Sequence, residues 1–137
     1  MKDVMVRAIL PDRPVRIFAC RTTEVAEKAR QLHDLWPTSA AALGRMMSVV
    51  LMMGGMNKNQ EKMTVTINGQ GPIGTMLCVT NGDGNIKGFV GEPHCMYTNN
   101  ETGKLAVGYA VGTNGFLQVN FHLELKKHIQ PIHKLHG

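Results

Sequence analysis

The sequence predicts an α+β fold in which antiparallel meander sheets pack against two consecutive helices, the second of them buried. Three observations carry this. Residues 36–56 form a run that is apolar almost all the way round a helix, with Arg45 its only charge, and such a helix must be buried or lie in a membrane. An amphipathic helical period stands directly before it. The second half of the chain is a series of short β-branched and apolar runs separated by Gly, Asn and Asp turns, the pattern of antiparallel strands.

In order along the chain, Val4 to Leu10 reads as a strand, Pro11-Asp12-Arg13-Pro14 as a turn and Val15 to Cys20 as a second strand, making an N-terminal hairpin. Thr22 or Thr23 is then placed to cap a helix whose first turns hold Glu24 and Glu27, where the helix dipole favours acids. Val25, Ala29, Leu32 and Trp36 recur at intervals of four, three and four and predict one buried stripe, with Arg30, Gln31 and Asp34 facing water. Pro37 forces a break, because the residue before proline is pushed to an extended conformation. Thr38 or Ser39 is expected to accept the free N–H groups of the next helix, and Gly54-Gly55 to end it in a left-handed cap. Ala40, Gly44 and Ser48 form a stripe of small residues that admits a neighbouring backbone, and Leu43, Met47, Val50 and Leu51 fill the opposite face. A membrane span is excluded by length, since about 16 residues reach roughly 24 Å, short of the ~20 residues a bilayer needs.

After a polar loop at 57–61, Met63, Val65 and Ile67 alternate with Thr64, Thr66 and Asn68, a half-buried strand. Thr75 to Thr80 is the next strand, residues 81–85 a hairpin turn and Ile86 to Val90 the return. Residues 91–94 break it, 99–104 turn again, and Leu105 to Val111 and Phe116 to Leu123 are expected as two further strands.

The composition bounds the function. A chain of 137 residues is one domain at most. Its start, Met1-Lys2-Asp3-Val4, has no apolar leader core, so the expected compartment is the cytoplasm. Cys20, Cys78 and Cys95 are too scattered for a disulfide framework or a Cys-x-x-Cys metal site and read as small buried hydrophobes. The net charge of +5 is uneven. Residues 1–119 carry 12 Lys and Arg against 9 Asp and Glu, whereas 120–137 carry 3 against 1 and four of the six histidines. The body is only mildly basic, and no nucleic-acid or membrane partner is expected.

Four features invite a chemical reading. Gly69-Gln70-Gly71-Pro72-Ile73-Gly74 matches G-x-G-x-x-G, but that fingerprint needs a helix after it to meet a pyrophosphate, and the following residues read as a strand. Pro72 also removes a donor. Glu92-Pro93-His94-Cys95 places a carboxylate, an imidazole and a thiol together, yet neighbours on extended backbone point to opposite faces, so His94 and Cys95 should not meet. His128, His133 and His136 lack a rigid frame for a metal. Met46, Met47, Met52, Met53 and Met56 lie within eleven residues. On a buried helix these five first of all fill the core, but flexible, polarizable methionines also accept many apolar partners, so they are the candidate residues for binding one, with Met52, Met53 and Met56 the ones expected to reach a surface. No catalytic residue, cofactor, metal or disulfide is assigned.

Arg21-Thr22-Thr23, the run from His33-Asp34-Leu35-Trp36-Pro37-Thr38-Ser39 through Ala40-Ala41-Ala42-Leu43-Gly44-Arg45, then Gly71-Pro72-Ile73-Gly74 and Val111-Gly112-Thr113-Asn114-Gly115 resemble, in this order, the heat-shock protein 33 family of redox-regulated bacterial chaperones. The resemblance covers roughly residues 1–119 as a partial N-terminal, client-binding domain. It implies an ATP-independent holdase that binds unfolding proteins during oxidative stress and forms homo-oligomers. In the family, a separate C-terminal domain holds zinc on Cys-x-Cys and Cys-x-x-Cys motifs, and their oxidation is the switch. This chain contains neither motif, so it reads as a truncated fragment without that switch, whose uncovered edges and apolar patches should drive self-association. The alternatives are a nucleotide-binding enzyme using the Gly69–Gly74 turn and an inactive remnant.

Residues 120–137 are a divergent basic tail. The family usually continues Leu-Lys-x-Pro-Tyr-Thr, whereas this chain reads Leu125-Lys126-Lys127-His128-Ile129-Gln130-Pro131-Ile132-His133. Deleting one C from the proline codon in DNA for Lys-Pro-Tyr-Thr-Ala-Tyr-Thr-Gln-Ile-Ala gives Lys-His-Ile-Gln-Pro-Ile-His-Lys-Leu and the start of a histidine codon. Residues 128–137 are therefore read as a frameshift product. A coding sequence in which no single-base insertion restores a longer frame bearing Cys-x-x-Cys would contradict this.

Overall fold

The computed structural model describes residues 2–57 and 61–122. The C-terminal tail on which the frameshift expectation and three histidines fall lies outside them. The N-terminal hairpin forms as expected: β1 (Val4–Ile9) and β2 (Arg16–Arg21) pair antiparallel, with Val4 opposite Arg21 and Ile9 opposite Arg16. A second sheet has the order β5-β4-β3-β6, all antiparallel, from β3 (Lys62–Asn68), β4 (Met76–Thr80), β5 (Ile86–Val90) and β6 (Phe116–His122). Strands β3 to β5 are a meander. The last strand returns to the far side of β3, with Val119 opposite Val65.

Helix α1 (Thr23–His33) starts at Thr22, but not on the expected hydroxyl. Thr22 Oγ1 instead lies 2.6 Å from Ser48 Oγ, and the Asp3 carboxylate accepts from the N–H groups of Glu24 (3.0 Å) and Val25 (2.8 Å). A charged acceptor is a stronger partner for the helix N-terminus than a hydroxyl. The predicted stripe holds at Ala29 and in part at Val25, and fails beyond. Leu32 is 70% exposed, and Trp36 lies outside α1 because Asp34 takes a left-handed φ of 51° and ends the helix. Leu35, 4% exposed, fills the core position instead.

Helix α2 (Pro37–Gly55) begins after an extended Trp36, as Pro37 demands. It packs on the inner face of β4 and β5, with Leu43, Met46, Met47 and Val50 against Met63, Val65, Met76 and Cys78 in one core. Its small stripe faces α1 and β2 as expected: a Cβ on Gly44 would stand 3.4 Å from that of Ala26. Two expectations are corrected. The hydroxyls of Thr38 and Ser39 do not cap α2; Ser39 donates to the carbonyls of Trp36 and Pro93, and Thr38 donates to Tyr97 O (3.1 Å) and accepts from Tyr97 N (2.8 Å). Gly54 and Gly55 form no left-handed cap, for the helix ends on a right-handed Met56 at φ −78°. They serve close approach instead. A Cβ would come within 2.8 Å of the Thr80 side chain at Gly54 and of the Met5 side chain at Gly55.

The expected strand from Leu105 to Val111 is also corrected. Leu105 makes a single bridge with Thr98, and Val107–Val111 form a short helix, α3. Local preference favours a strand there, and tertiary docking decides against it: Gly71 and Ile73 donate to the carbonyls of Val111 (3.1 Å) and Ala110 (3.0 Å) at the helix end.

Candidate functional site

That docking also settles the glycine turn. It leads into β4, not a helix, and its N–H groups are spent internally, on α3 and, at Gly74, on Gly71 O. Side chains at Gly69 or Gly71 would collide with the backbone of residues 110–112. Gln70 N–H donates to Asn68 Oδ1, so the N–H groups from Gln70 to Gly74 are engaged within the protein and the G-x-G-x-x-G spacing serves a tight backbone joint.

The Glu92–Tyr97 segment docks on the start of α2. Trp36 N donates to Pro93 O (2.9 Å) and Thr38 N to Cys95 O (3.2 Å), so carbonyls of a distant loop satisfy the free donors of the helix start. Cys95 turns into the core and its Sγ donates to Glu92 O (3.3 Å), while burial and the Glu92 charge push the thiol up. His94 turns outward, stacks on Trp36 with ring centroids 4.9 Å apart and places Nε2 3.0 Å from Asp34 Oδ2. Imidazole and thiol thus diverge, and they form no nucleophile–base pair. The Trp36–His94–Asp34 cluster escaped the sequence reading because its members lie about sixty positions apart.

Nor do the residues present fit the zinc that the resemblance implies. Four thiolates are needed, and the chain has three cysteines on separate segments. Cys78 is sealed under α2, and burial raises its thiol to about 12. Among the described residues no three His, Cys, Asp or Glu side chains are grouped to hold a metal ion.

Of the five candidate methionines, Met46 and Met47 are closed into the core, Met52 and Met53 are half-buried, and Met56 is 41% exposed. Met56 ends an open strip on α2 that begins at Arg45 and includes Val49, 52% exposed. These positions recur at helical spacing beside the face that carries Ser48 and Gly55, against which the hairpin packs. The hairpin itself is open, for all six residues of β1 are exposed, and Val4, Val6 and Ile17 share one apolar face. This surface was missed in the sequence, although a two-stranded ribbon has only one face to bury. A third open patch lies on β6. Leu117 and Phe121 share the face of Ile67 and Met63, but among the described residues no helix packs extensively on β6. No helix among the described residues is long and apolar enough to cross a membrane.

A family model described as "Hsp33 protein" matches residues 3–137. The 33 kDa chaperonin of Geobacillus sp. (strain WCH70) is 45% identical over 126 residues, covering 92% of this chain and 43% of the relative. That of Bacillus velezensis is 44% identical over 124 residues, covering 90% of this chain and 43% of the relative. The crystal structure of the 33 kDa chaperonin (heat shock protein 33 homolog) from Thermotoga maritima superposes with a TM-score of 0.80 at 31% identity, over 89% of this chain and 42% of that one. The chain therefore spans about two fifths of the length of the relatives it matches.

Proposed function

The chain belongs to the Hsp33 family, and on that premise we propose that it is the client-binding part of an ATP-independent holdase. It works in the cytoplasm on proteins unfolding under oxidative stress. The observation that carries the reading is apolar surface left open in two neighbouring elements, Val4, Val6 and Ile17 on the hairpin and Val49 and Met56 on the Arg45–Met56 strip. Single exposed apolar residues are ordinary, but Val4, Val6 and Ile17 stand together on one face of the hairpin, and such a group marks a surface for apolar partners. Binding there needs no sequence match, only apolar area to remove from water. The same uncovered surface supports self-association of the chain. No catalytic step and no cofactor belong to this reading.

The test is suppression of light scattering from a heat-unfolded client by the purified chain, in reducing and in oxidising buffer. We expect equal suppression in both, and at least threefold weaker suppression by a Val49→Glu/Met56→Glu variant, whose substitutions fall at open positions. Suppression seen only after oxidation would contradict redox-independent binding by these 137 residues. No suppression at all would favour the inactive remnant.

A further inference from the structure

The region between α1 and β5 forms a groove of about 620 Å³ that the function so far described does not use. One wall is α1, presenting Val25, Ala29 and Leu32, the stripe the sequence predicted as buried. The other wall is residues 84–89, with Ile86 and Phe89 as its large apolar side chains, and Met47 reaches it from α2. The volume lies within the range of ligand-binding clefts.

Beside this groove runs a free sheet edge. β5 is the outermost strand on its side, and among the described residues no strand pairs with its outer edge. The register shows which groups are available there. Gly91 N donates to Thr75 O (2.8 Å), so Gly91, Phe89 and Lys87 turn their N–H and C=O groups toward β4. Alternation then turns the groups of Ile86, Gly88 and Val90 outward. Charge selects among occupants. The lining holds Lys28, Lys87 and His33, and no carboxylate.

We propose that this groove is a strand-addition site for an extended, alternating apolar segment of a client that carries an acidic residue. The segment pairs antiparallel or parallel with the outer edge of β5 through Ile86 and Gly88. Its inward side chains cover Leu32 and Ile86, and its carboxylate, on the opposite face of the strand, meets Lys87. Main-chain pairing supplies the tolerance of sequence that a holdase needs, while the groove selects apolar alternate positions. The inference rests on the holdase reading and gives it a substrate class: extended segments, as distinct from preformed apolar helices.

The probe is a fluorescein-labelled peptide, Thr-Val-Glu-Val-Thr-Val-Thr, titrated with the full chain and followed by anisotropy. Three comparisons accompany it: the peptide with Pro for its central Val, the peptide with Lys for Glu, and the Leu32→Asp chain. We expect at least tenfold weaker binding for the Pro peptide, which loses a main-chain donor, and for Leu32→Asp. The Lys peptide should bind at least threefold more weakly. Lys87→Glu provides a second variant on the opposite wall, expected to reverse the preference between the Glu and Lys peptides. Failure of the reference peptide to bind, or binding by the Pro peptide and Leu32→Asp chain within twofold of the reference, would overturn the proposal. The light-scattering assay run on the same variants separates the two readings. Suppression intact in Leu32→Asp, with no peptide bound by the native chain, removes the groove and leaves the holdase.

Discussion

Thr38 shows how closely the start of α2 is specified. Its hydroxyl both donates to and accepts from the Tyr97 backbone, and it is wholly buried. A helix cap would have used only one of these bonds. The sequence marks Thr38 as a polar residue at a helix start, but the distant partner that claims its hydroxyl has no local signature. Cys78 makes a prediction at the same scale. Burial raises its thiol from 9.0 to about 12. The unfolded chain loses that proton above about pH 9, while the folded chain holds it, so this group's stabilisation is complete below pH 9 and lost progressively between 9 and 12. Denaturant melts from pH 8 to 10.5 should therefore decline more steeply for the native chain than for Cys78→Ala. Equal slopes would contradict the assignment.

At the scale of elements, two glycines of the 69–112 joint separate backbone crowding from mere flexibility. Gly71 has no room for a side chain against the backbone of Ala110 and Val111, whereas Gly108 in α3 faces open space at an ordinary helical φ. Gly71→Ala should cost about 3 kcal/mol or more, because backbone cannot yield as a side-chain tip can. Gly108→Ala should gain about 0.5–1 kcal/mol from helix propensity. Urea midpoints at constant slope would check both, and similar shifts of one sign would refute the joint. The same joint marks where the sequence stopped being legible. β3 declares itself by the alternation of Met63, Val65 and Ile67, and the β4–β5 hairpin by its turn at 81–85, because in both the signal is local. α3 is helical against the preference of Val107 and Val111, and its contacts with the glycine turn and with α2, where Ala110 enters the core, explain why. Gly54 and Gly55 look like a cap in sequence, where a close approach by Thr80 and Met5 cannot be seen.

At the scale of the whole molecule, the hairpin, the Arg45–Met56 strip and the inner face of β6 are among the places where described residues leave apolar surface open. The candidate methionines were legible as a cluster, but not their division into buried Met46 and Met47 and exposed Met56, which depends on how α2 is rolled on the sheet. β6 has an uncharged sequence, Phe116 to His122, and forms one edge of the sheet among the described residues. It lacks the lysines and prolines that guard edge strands. Sedimentation velocity should show association that grows from micromolar to tens of micromolar chain, and Leu117→Lys/Phe121→Lys should shift it at least threefold toward monomer. A single monomeric boundary throughout would count against self-association.

The stacking of Trp36 on His94 has an optical consequence. Trp36 is the chain's only tryptophan, so its emission carries a single, local message. The indole reports whether residues 92–97 remain seated on the first turn of α2, not whether the sheet is intact. A change in fluorescence that runs ahead of the far-ultraviolet signal would time the release of that clasp, with no label added to the chain.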